Sequence, residues 1–273
     1  MRVIARKSLV RGVSRGLDTA MSQNFRHPDI LMLARRDGKV TVDGLAAHFG
    51  VTLQTIRRDL AELADAGQLA RVHGGAVLPS GTANLRYEDR RVLNEAAKQA
   101  MAARCAALIP DGGSLFLNIG TTTEAVARAL HQHRGLMVVT NNLNVADILR
   151  DHPDCEVVLA GGQLRRSDGG LTGPLTVQAI RAFKFDIAVI GCSALDTDGD
   201  ILDFDISEVA VSQAILEQSR RRVLVADHSK FQRNAPARIA SLAAVDVFVT
   251  DRPLPAALAG ACADWQTQVI VAG

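Results

Sequence analysis

The sequence has few cysteines, no long apolar run and almost no net charge. Its four cysteines lie far apart and form no C-x-x-C pair, which predicts buried thiols rather than disulfides or zinc ligands: Cys105, Cys155, Cys192 and Cys262. No apolar run approaches the length that spans a bilayer, so we expect no membrane partner. A formal net charge of +2, taken over the whole chain, indicates no particular class of partner.

Residues 1–24 form a basic tail that lacks the continuous apolar core of a signal peptide, so we expect a cytoplasmic protein. Two interpretations of this tail stay open. In one, the tail is an arm that adds non-specific phosphate contacts. In the other, translation starts at Met21 and the tail is not translated. The second is favoured, because the recognisable sequence pattern begins just after Met21.

The chain of 273 residues is long enough for two domains with buried cores, and its 48% hydrophobic content is typical of globular proteins. Charge is unevenly divided between the two parts. Up to Ser80 there are 12 Lys+Arg against 7 Asp+Glu, a net charge of +5, and the remainder has 19 against 22, a net charge of −3. The basic first part is therefore the part suited to the phosphate backbone of nucleic acid.

Residues 51–69 have the pattern of a DNA-recognition helix. Apolar side chains recur at spacings of three and four, which predicts one buried stripe of Leu53, Ile56, Leu60 and Leu63. Polar side chains lie near the helix start and mostly off that stripe, where a recognition helix meets base edges and phosphates. These candidate DNA contacts are Thr52, Gln54, Thr55, Arg57 and Arg58.

The flanking segments predict a winged helix-turn-helix over residues 25–79. Two shorter helices are expected in front of the recognition helix, over residues 28–36 and 41–50, and Gly50 ends the second. Behind it, Gly67 ends the recognition helix, and two short strands are expected over residues 69–72 and 76–78. Arg71 and His73 lie on this wing and are further candidate DNA contacts.

Beyond a predicted linker at residues 80–94, residues 95–273 alternate apolar strand-like runs with helical segments. Seven strands are predicted, over residues 114–118, 136–140, 156–160, 186–191, 222–226, 245–250 and 268–271. Helices are predicted over residues 95–108, 123–131, 145–151, 207–220 and 253–262. This alternation predicts an α/β domain with a mostly parallel sheet covered on both faces, in which a ligand binds at the carboxyl ends of the strands.

Loops at the predicted strand ends carry the candidate ligand-binding residues. The first loop offers Asn118, a flexible Gly120 and the hydroxyls of Thr121, Thr122 and Thr123 at a helix start, which suits a phosphate; an ordinary capped helix is the alternative. The next two loops offer Asn141 and Asn142 for a polyol, and Gly161 and Gly162 for close approach of backbone N–H groups, although either loop could be a simple turn. Lys230, after a later strand, is a candidate partner for the ligand's charge.

Residues 196–205 are dense in carboxylates, but their spacing excludes an EF-hand calcium loop. Asp203, Asp205 and Glu208 are instead expected to accept hydrogen bonds from ligand hydroxyls or to cap the helix that begins near Ser207, and capping is favoured for Asp205. The sequence predicts no metal site, no cofactor and no catalytic residue.

The run TIRRDLAELADAGQLARVHGGA resembles the winged helix-turn-helix of the DeoR family of bacterial transcriptional repressors, in which the Arg-Arg-Asp triplet lies on the recognition helix. Five further segments resemble the branch of that family that responds to glycerol 3-phosphate: NIGTTTEAVARAL, VVTNNLNVADIL, LAGGQLRRSDGGLTG, LDFDISEVAVSQAILE and ADHSKFQRNA. The family's sensor domain is similar to sugar-phosphate isomerases of the ribose-5-phosphate isomerase type, so the resemblance implies an isomerase-like fold for residues 95–273.

The resemblance also implies a homo-oligomer, dimer or tetramer, that binds double-stranded operator DNA and releases it when a small phosphorylated polyol binds, most simply sn-glycerol 3-phosphate. By position, Gly120, Thr121 and Thr122 are then expected to hold the phosphate. Asn141 and Asn142 are expected to line the polyol, and Lys230 to pair with the anion. One departure is Asn118, which stands where the family usually has Asp.

Two alternatives stay open from the sequence. One keeps the repressor and changes its effector to another sugar phosphate. The other is a sugar-phosphate isomerase or transferase with an attached DNA-binding module, since fold alone does not choose between an enzyme and a sensor. The amide of Asn118 in place of an acid, and the lack of a clearly paired general base, argue against the enzyme.

Overall fold

The computed structural model describes residues 26–34, 36–37, 39–66, 68–72, 74–78 and 87–273. The predicted tail at residues 1–24, Gly67, His73 and residues 80–86 of the predicted linker lie outside the described residues. The chain divides into two compact units, residues 1–79 and residues 80–273. None of the helices in the described parts is both long enough and apolar enough to cross a membrane.

The first unit combines three helices with a small antiparallel sheet. The helices are α1 (residues 26–34), α2 (Val42–Phe49) and α3 (Leu53–Asp65). The strands, in the spatial order β1-β3-β2, are β1 (Lys39–Thr41), β2 (Ala70–Val72) and β3 (Gly75–Val77). The predicted winged helix-turn-helix is confirmed. Ile30, Ile56, Leu60 and Leu63 are at most 1% exposed, so α1 and α3 share one apolar core.

The ends of α2 and α3 are set by residues that cap them. The Thr41 hydroxyl accepts a hydrogen bond from the Gly44 N–H, and Gly50 ends α2 in the left-handed conformation at φ 63°. The Thr52 hydroxyl accepts from the Thr55 N–H at the start of α3. The glycine stop was predicted, but Thr41 belongs to a strand and caps the helix rather than opening it.

Strand β1 was not predicted from the sequence. It pairs with β3 in the register Lys39–Val77, Val40–Ala76 and Thr41–Gly75. A Cβ at position 75 would lie only 1.9 Å from the carbonyl oxygen of Val40, so a glycine is required where the two backbones meet.

The second unit contains a seven-stranded parallel sheet in the order β15-β14-β12-β9-β4-β5-β6. Its strands are β4 (Ser114–Leu117), β5 (Leu136–Thr140), β6 (Cys155–Leu159), β9 (Phe185–Ile190), β12 (Ser219–Val225), β14 (Val247–Thr250) and β15 (Gln268–Val271). All seven predicted strands are present, and the predicted parallel sheet is confirmed.

Helices cover both faces of this sheet. They are α5 (Glu95–Ala106), α6 (Thr121–Ala129), α7 (Leu143–Leu149), α8 (Pro174–Arg181), α9 (Ile206–Glu217) and α10 (Ala256–Asp264). Along β4, Leu115 and Leu117 pack with α5, α6 and α7, whereas Phe116 packs with α8 and α9 on the other face. This alternation follows from the two-residue period of a strand, and it produces two separate apolar cores.

Smaller elements lie at the carboxyl edge of the sheet, and they were not predicted from the sequence. A hairpin is formed by β7 (Gln163–Arg165) and β8 (Gly170–Thr172). A second antiparallel sheet is formed by β10 (Ala194–Leu195), β11 (Asp200–Asp203) and β13 (Ala237–Ser241). Two short 3-10 helices occupy His228–Gln232 and Leu242–Ala244. The predicted helix at residues 207–220 ends at Glu217, because Ser219 already pairs with Phe185 of β9.

The structure differs from the predicted linker at residues 87–94, where α4 (Tyr87–Val92) forms and is bonded into the second unit. The Tyr87 hydroxyl donates to both carboxylate oxygens of Glu124 at 3.0 Å, and Arg90 donates to Asp168 at 3.2 Å. The charged residues of this stretch therefore serve partly as internal hydrogen-bonding groups.

All four cysteines are free, as predicted. Cys105 and Cys262 are buried, whereas Cys155 and Cys192 are only half-buried. Burial raises the pKa of the Cys105 thiol to about 12, so this thiol is neutral at physiological pH.

Candidate functional site

In the first unit, α3 presents the polar residues of its first two turns to solvent. Gln54, Arg57 and Arg58 are exposed, and Arg71 is exposed on β2. The Arg58 Nε donates to Glu62 Oε1 at 3.0 Å, which lays this side chain along the helix. Thr52 and Thr55 interact with each other, since the Thr52 hydroxyl caps the helix and lies 2.9 Å from the Thr55 hydroxyl.

The buried face of α3 differs from the predicted stripe at one end. Leu53 is 40% exposed, so its prediction as a core residue is wrong. Asp59 is completely buried beside Ile56 and Leu60. Its carboxylate accepts hydrogen bonds from Arg26 Nε at 2.8 Å and Nη2 at 3.2 Å, so a forked ion pair fixes α3 to α1.

In the second unit, the strand order reverses between β4 and β9. From β4 the chain proceeds outward through β5 and β6, then returns to β9 on the other side of β4 and proceeds through β12, β14 and β15. A crevice at the carboxyl ends of such neighbouring strands is the usual ligand site of open α/β sheets.

A small cavity lies at this position, and we refer to it as the switch-point cavity. It is lined by residues 120–123 after β4, residues 191–193 after β9, and Lys230 after β12. Its remaining lining is Arg90, Ile119, Asp203, Glu208 and Val225. The cavity therefore combines the loops of three adjacent strands with one side chain from α4.

The start of α6 offers hydrogen-bond donors to the switch-point cavity. Gly120 has φ 145°, a conformation that side-chain-bearing residues rarely adopt, and the first backward helical bond runs from the Glu124 N–H to the Gly120 carbonyl. The N–H groups of residues 121–123 precede that bond and are available to a ligand. The Thr123 hydroxyl is already used, since it donates to the Gly120 carbonyl at 2.7 Å.

Cationic side chains accompany this helix start. Burial and the neighbouring Arg233 lower the pKa of Lys230 to about 8, and no carboxylate of the described residues forms an ion pair with it. Burial likewise lowers the pKa of Arg233, and its Nη1 is buried without a hydrogen-bond partner among the described residues. The Asp227 carboxylate acts on both cations and balances only one of the two positive charges, so the remaining charge favours the binding of an anion.

Hydrogen-bond acceptors also line the switch-point cavity. Asp203 Oδ2 accepts a hydrogen bond from the Ser193 hydroxyl at 2.7 Å. Glu208 Oε2 lies 2.7 Å from Arg165 Nη2, while burial and Asp203 raise the pKa of Glu208 to about 8. An anion-binding side and a hydroxyl-binding side thus face the same small volume.

Comparisons with known proteins assign both units to one family. The DeoR-like helix-turn-helix domain matches residues 26–82, and the DeoR C terminal sensor domain matches residues 93–252. The chain belongs to the DeoR family. The glycerol-3-phosphate regulon repressor of Escherichia coli (strain K12) is 45% identical to this DeoR-family chain over 249 residues, covering 91% of this chain and 99% of the relative. The repressor of the same name from Haemophilus influenzae is 46% identical over 230 residues, covering 84% and 90%.

These relatives are transcriptional repressors, so this DeoR-family chain is a DNA-binding repressor and not an enzyme. Among solved structures, the ribose 5-phosphate isomerase of Methanocaldococcus jannaschii overlaps with 50% of this chain and 55% of its own length, at 15% identity and a TM-score of 0.38.

Three predicted ligand residues of the DeoR-family chain are asparagines that each make a side-chain hydrogen bond within the protein, although Asn141 Oδ1 and Asn142 Nδ2 are buried without a partner among the described residues. Asn118 Nδ2 donates to the Ser212 hydroxyl at 2.9 Å, which ties the end of β4 to α9. Asn141 Nδ2 donates to the Leu171 carbonyl at 3.0 Å, and Asn142 Oδ1 caps α7 by accepting from the Asn144 N–H. None of these three side chains lines the switch-point cavity.

The predicted glycine pair lies outside the switch-point cavity as well. A Cβ on Gly162 would lie 1.9 Å from the Thr176 hydroxyl oxygen, and that hydroxyl donates to the Gly161 carbonyl at 2.7 Å. Gly162 therefore lets the chain pack against the start of α8, whereas a Cβ on Gly161 would meet no atom within 4 Å. Of the predicted ligand residues, the structure brings together residues 120–123 and Lys230.

Sequence reasoning missed Arg90, because it lies in a stretch with linker-like charge. Asp203 and Glu208 had been recognised as possible acceptors, and both line the switch-point cavity. Asp205 caps α9 as predicted, accepting a hydrogen bond from the Ser207 N–H at 2.8 Å. His228 is bonded to Asp251 at 2.7 Å and is not part of the cavity wall. The described residues hold no cluster of three or more His, Cys, Asp or Glu that could bind a metal ion.

Proposed function

We propose that this DeoR-family chain is a cytoplasmic repressor whose affinity for operator DNA falls when a small phosphorylated polyol, most simply sn-glycerol 3-phosphate, binds in the switch-point cavity. The curated repressors that cover almost the whole chain support the choice of effector, because their names refer to the glycerol-3-phosphate regulon. The single observation that carries the proposal is the convergence of a free helix start and the Lys230 ammonium on one cavity.

The phosphate is expected at the start of α6. There, the N–H groups of residues 121–123 lie at the positive end of the helix dipole and donate hydrogen bonds to the phosphate oxygens. Lys230 lines the same cavity and contributes positive charge below about pH 8. A phosphate group carries close to two negative charges at neutral pH, so this wall is complementary to it in both charge and hydrogen bonding.

The polyol hydroxyls are expected to face Ser193, Asp203 and Glu208. A carboxylate accepts hydrogen bonds, and a hydroxyl both accepts and donates them, as the hydroxyls of a polyol require.

For the DNA-binding unit, we propose that the residues that contact operator DNA are Thr52, Gln54, Thr55, Arg57, Arg58 and Arg71. Their exposure on α3 and β2 supports this assignment. We further propose that the repressor acts as a homo-oligomer, because winged helices that bind repeated half-sites dock in pairs. Light scattering of the purified protein measures the oligomeric state, and a monomeric mass at micromolar concentration would contradict this part.

A thermal-shift panel tests the effector. Glycerol, sn-glycerol 3-phosphate, ribose 5-phosphate and glucose 6-phosphate are compared at equal concentration on the wild type and on Lys230→Met. We expect the largest stabilisation of the wild type by sn-glycerol 3-phosphate, none by glycerol, and a reduced shift for the variant. A larger shift with another sugar phosphate would replace the effector but keep the site, whereas equal shifts in wild type and variant would contradict the site.

A further inference from the structure

Arg90 is the only residue of α4 that lines the switch-point cavity. Its side chain is 17% exposed, and its Nη2 donates to Asp168 Oδ2 at 3.2 Å. Its Nε is buried and has no hydrogen-bond partner among the described residues. A buried donor without an acceptor is destabilising, so a ligand that supplies an acceptor at this position gains free energy from the contact.

Asp168 does not depend on Arg90 for its charge balance. The Arg165 guanidinium donates to both Asp168 oxygens, each at 2.8 Å, and the Gly170 N–H lies 3.3 Å from one of them. If Arg90 turns away, the Asp168 carboxylate remains bound by a forked ion pair. Arg90 therefore exchanges one long hydrogen bond for a new partner at little cost to the rest of the network.

The backbone of α4 is tied to α6, the helix whose start offers the free N–H groups. The Arg90 carbonyl accepts hydrogen bonds from the Lys98 ammonium and from the Thr121 hydroxyl, the latter at 3.3 Å. Tyr87 on the preceding turn donates to Glu124 of α6. A change at the start of α6 is thus transmitted directly to α4, which is the first described element after the connection to the DNA-binding unit.

We propose that Arg90 is a phosphate ligand of the effector site, and that its transfer from Asp168 to the phosphate moves α4 and so relays occupancy towards the DNA-binding unit. The inference rests on the proposed function, because it takes the phosphate to lie at the start of α6. A guanidinium matches a phosphate with two parallel hydrogen bonds, and Arg90 with Lys230 supplies two positive charges to a nearly dianionic group.

The first experiment measures the affinity of the full-length protein for sn-glycerol 3-phosphate and for inorganic phosphate by calorimetry. The variants are Arg90→Gln and Arg90→Lys. The matched control is Arg91→Gln, because the guanidiniums of Arg90 and Arg91 both lie 5.9 Å from the Tyr87 ring, but only Arg90 lines the cavity. Thermal midpoints without ligand establish that each variant is folded.

We expect Arg90→Gln to raise the Kd for sn-glycerol 3-phosphate roughly 10-fold to 100-fold, the effect of losing a charged hydrogen-bond pair. Arg90→Lys should lose less, since it keeps the charge but not the fork, and Arg91→Gln should bind as the wild type does. If Arg90→Gln is folded and binds with unchanged Kd, the inference is overturned. If Arg90→Gln does not fold, an unchanged Kd in Arg90→Lys overturns it instead.

The second experiment follows the relay through Tyr87, which is the only tyrosine in the chain. Its phenol donates a hydrogen bond to Glu124 of α6 at 3.0 Å, so its near-ultraviolet difference spectrum reports on the contact between α4 and α6. Saturating sn-glycerol 3-phosphate should change this spectrum in the wild type and in Arg91→Gln, but much less in Arg90→Gln. A spectrum that stays constant in the wild type, at saturation, contradicts the relay.

These experiments distinguish a failure of the proposed effector site from a failure of the proposed role of Arg90. A wild type that binds neither sn-glycerol 3-phosphate nor inorganic phosphate refutes the proposed effector site itself. A wild type that binds both, with Arg90→Gln binding equally well, leaves the effector site intact and refutes only the role of Arg90.

Discussion

Replacing Asp59 by alanine tests how the recognition helix is held. Asp59 is fully buried and accepts two hydrogen bonds from Arg26, whose side chain is 15% exposed. Removing one partner of a buried ion pair costs roughly 3–5 kcal/mol, and the partial exposure of Arg26 lets it reach water, which favours the lower end. We expect the free energy of unfolding to fall by about 3 kcal/mol. That is more than half of the roughly 5 kcal/mol that stabilises a marginal small domain.

The assay can separate the two units, because residues 1–79 contain no Trp or Tyr and the single Trp265 lies in the second unit. Asp59→Ala should lower the midpoint of the far-ultraviolet dichroism transition of the DNA-binding unit and leave the transition followed by Trp265 fluorescence unchanged. Asp65→Ala is the matched control, since Asp65 is exposed on the same helix. Equal stability of the Asp59 and Asp65 variants would refute the anchoring role of the ion pair.

Three further outcomes are expected. Arg57→Ala and Arg58→Ala should each weaken operator binding by roughly 1–3 kcal/mol in gel-shift titrations. Loss of a phosphate contact weakens binding to all sequences and lowers the salt slope, whereas loss of a base contact weakens binding only at one base position. An unchanged Kd for both variants would contradict the assignment of α3 as the recognition helix. The Kd for sn-glycerol 3-phosphate should rise above about pH 8, by up to about tenfold per pH unit, because Lys230, with its pKa of about 8, is mostly charged below that pH and loses its proton above it. The Kd of Lys230→Met should depend less steeply on pH, and identical pH profiles for the two proteins would exclude a contribution from Lys230. Gly75→Ala should destabilise the DNA-binding unit by roughly 1–3 kcal/mol in the dichroism assay, because its Cβ would collide with the Val40 carbonyl, and a neutral effect would contradict the close approach of β1 and β3.

The regular part of the fold was predictable because its signals are local. Buried strands such as β9 and β14 contain continuous apolar runs, over residues 187–190 and 247–249. Helix α2 is bounded by the side chain of Thr41 and by the backbone preference of Gly50, and both act within one turn. These features depend on neighbours in sequence, so a single chain displays them without any knowledge of tertiary contacts.

The features that were missed depend on partners distant in sequence. Strand β1 exists because it pairs with β3 some 35 residues later, as Val40 with Ala76, and its three residues carry no recognisable alternation. Leu53 is exposed although it fits the helical period, since it lies at the first residue of α3, at the edge of the core. Asp59 could have been recognised, because a carboxylate between Ile56 and Leu60 on an apolar stripe requires a partner.

The candidate site was predictable in its centre and not at its edges. The loop after β4 and Lys230 are strand-end residues, and a parallel sheet places strand ends together. Asn141 and the Gly161–Gly162 pair are strand-end residues too, but they follow β5 and β6, on the far side of β4 from the switch point. Sequence alone does not give strand order, and so it could not separate the two groups. Arg90 reaches the cavity from a helix that precedes the sheet.

The central claim is that a phosphorylated polyol in the switch-point cavity releases the repressor from DNA. The most direct measurement is operator affinity of the full-length protein, titrated with sn-glycerol 3-phosphate and, in parallel, with glycerol. A coupling free energy of roughly 1–3 kcal/mol, typical of allosteric pairs, predicts a 5-fold to 150-fold loss of operator affinity at saturation with the phosphate and none with glycerol. Operator affinity that is unchanged by saturating amounts of every phosphorylated polyol and sugar tested would contradict the account.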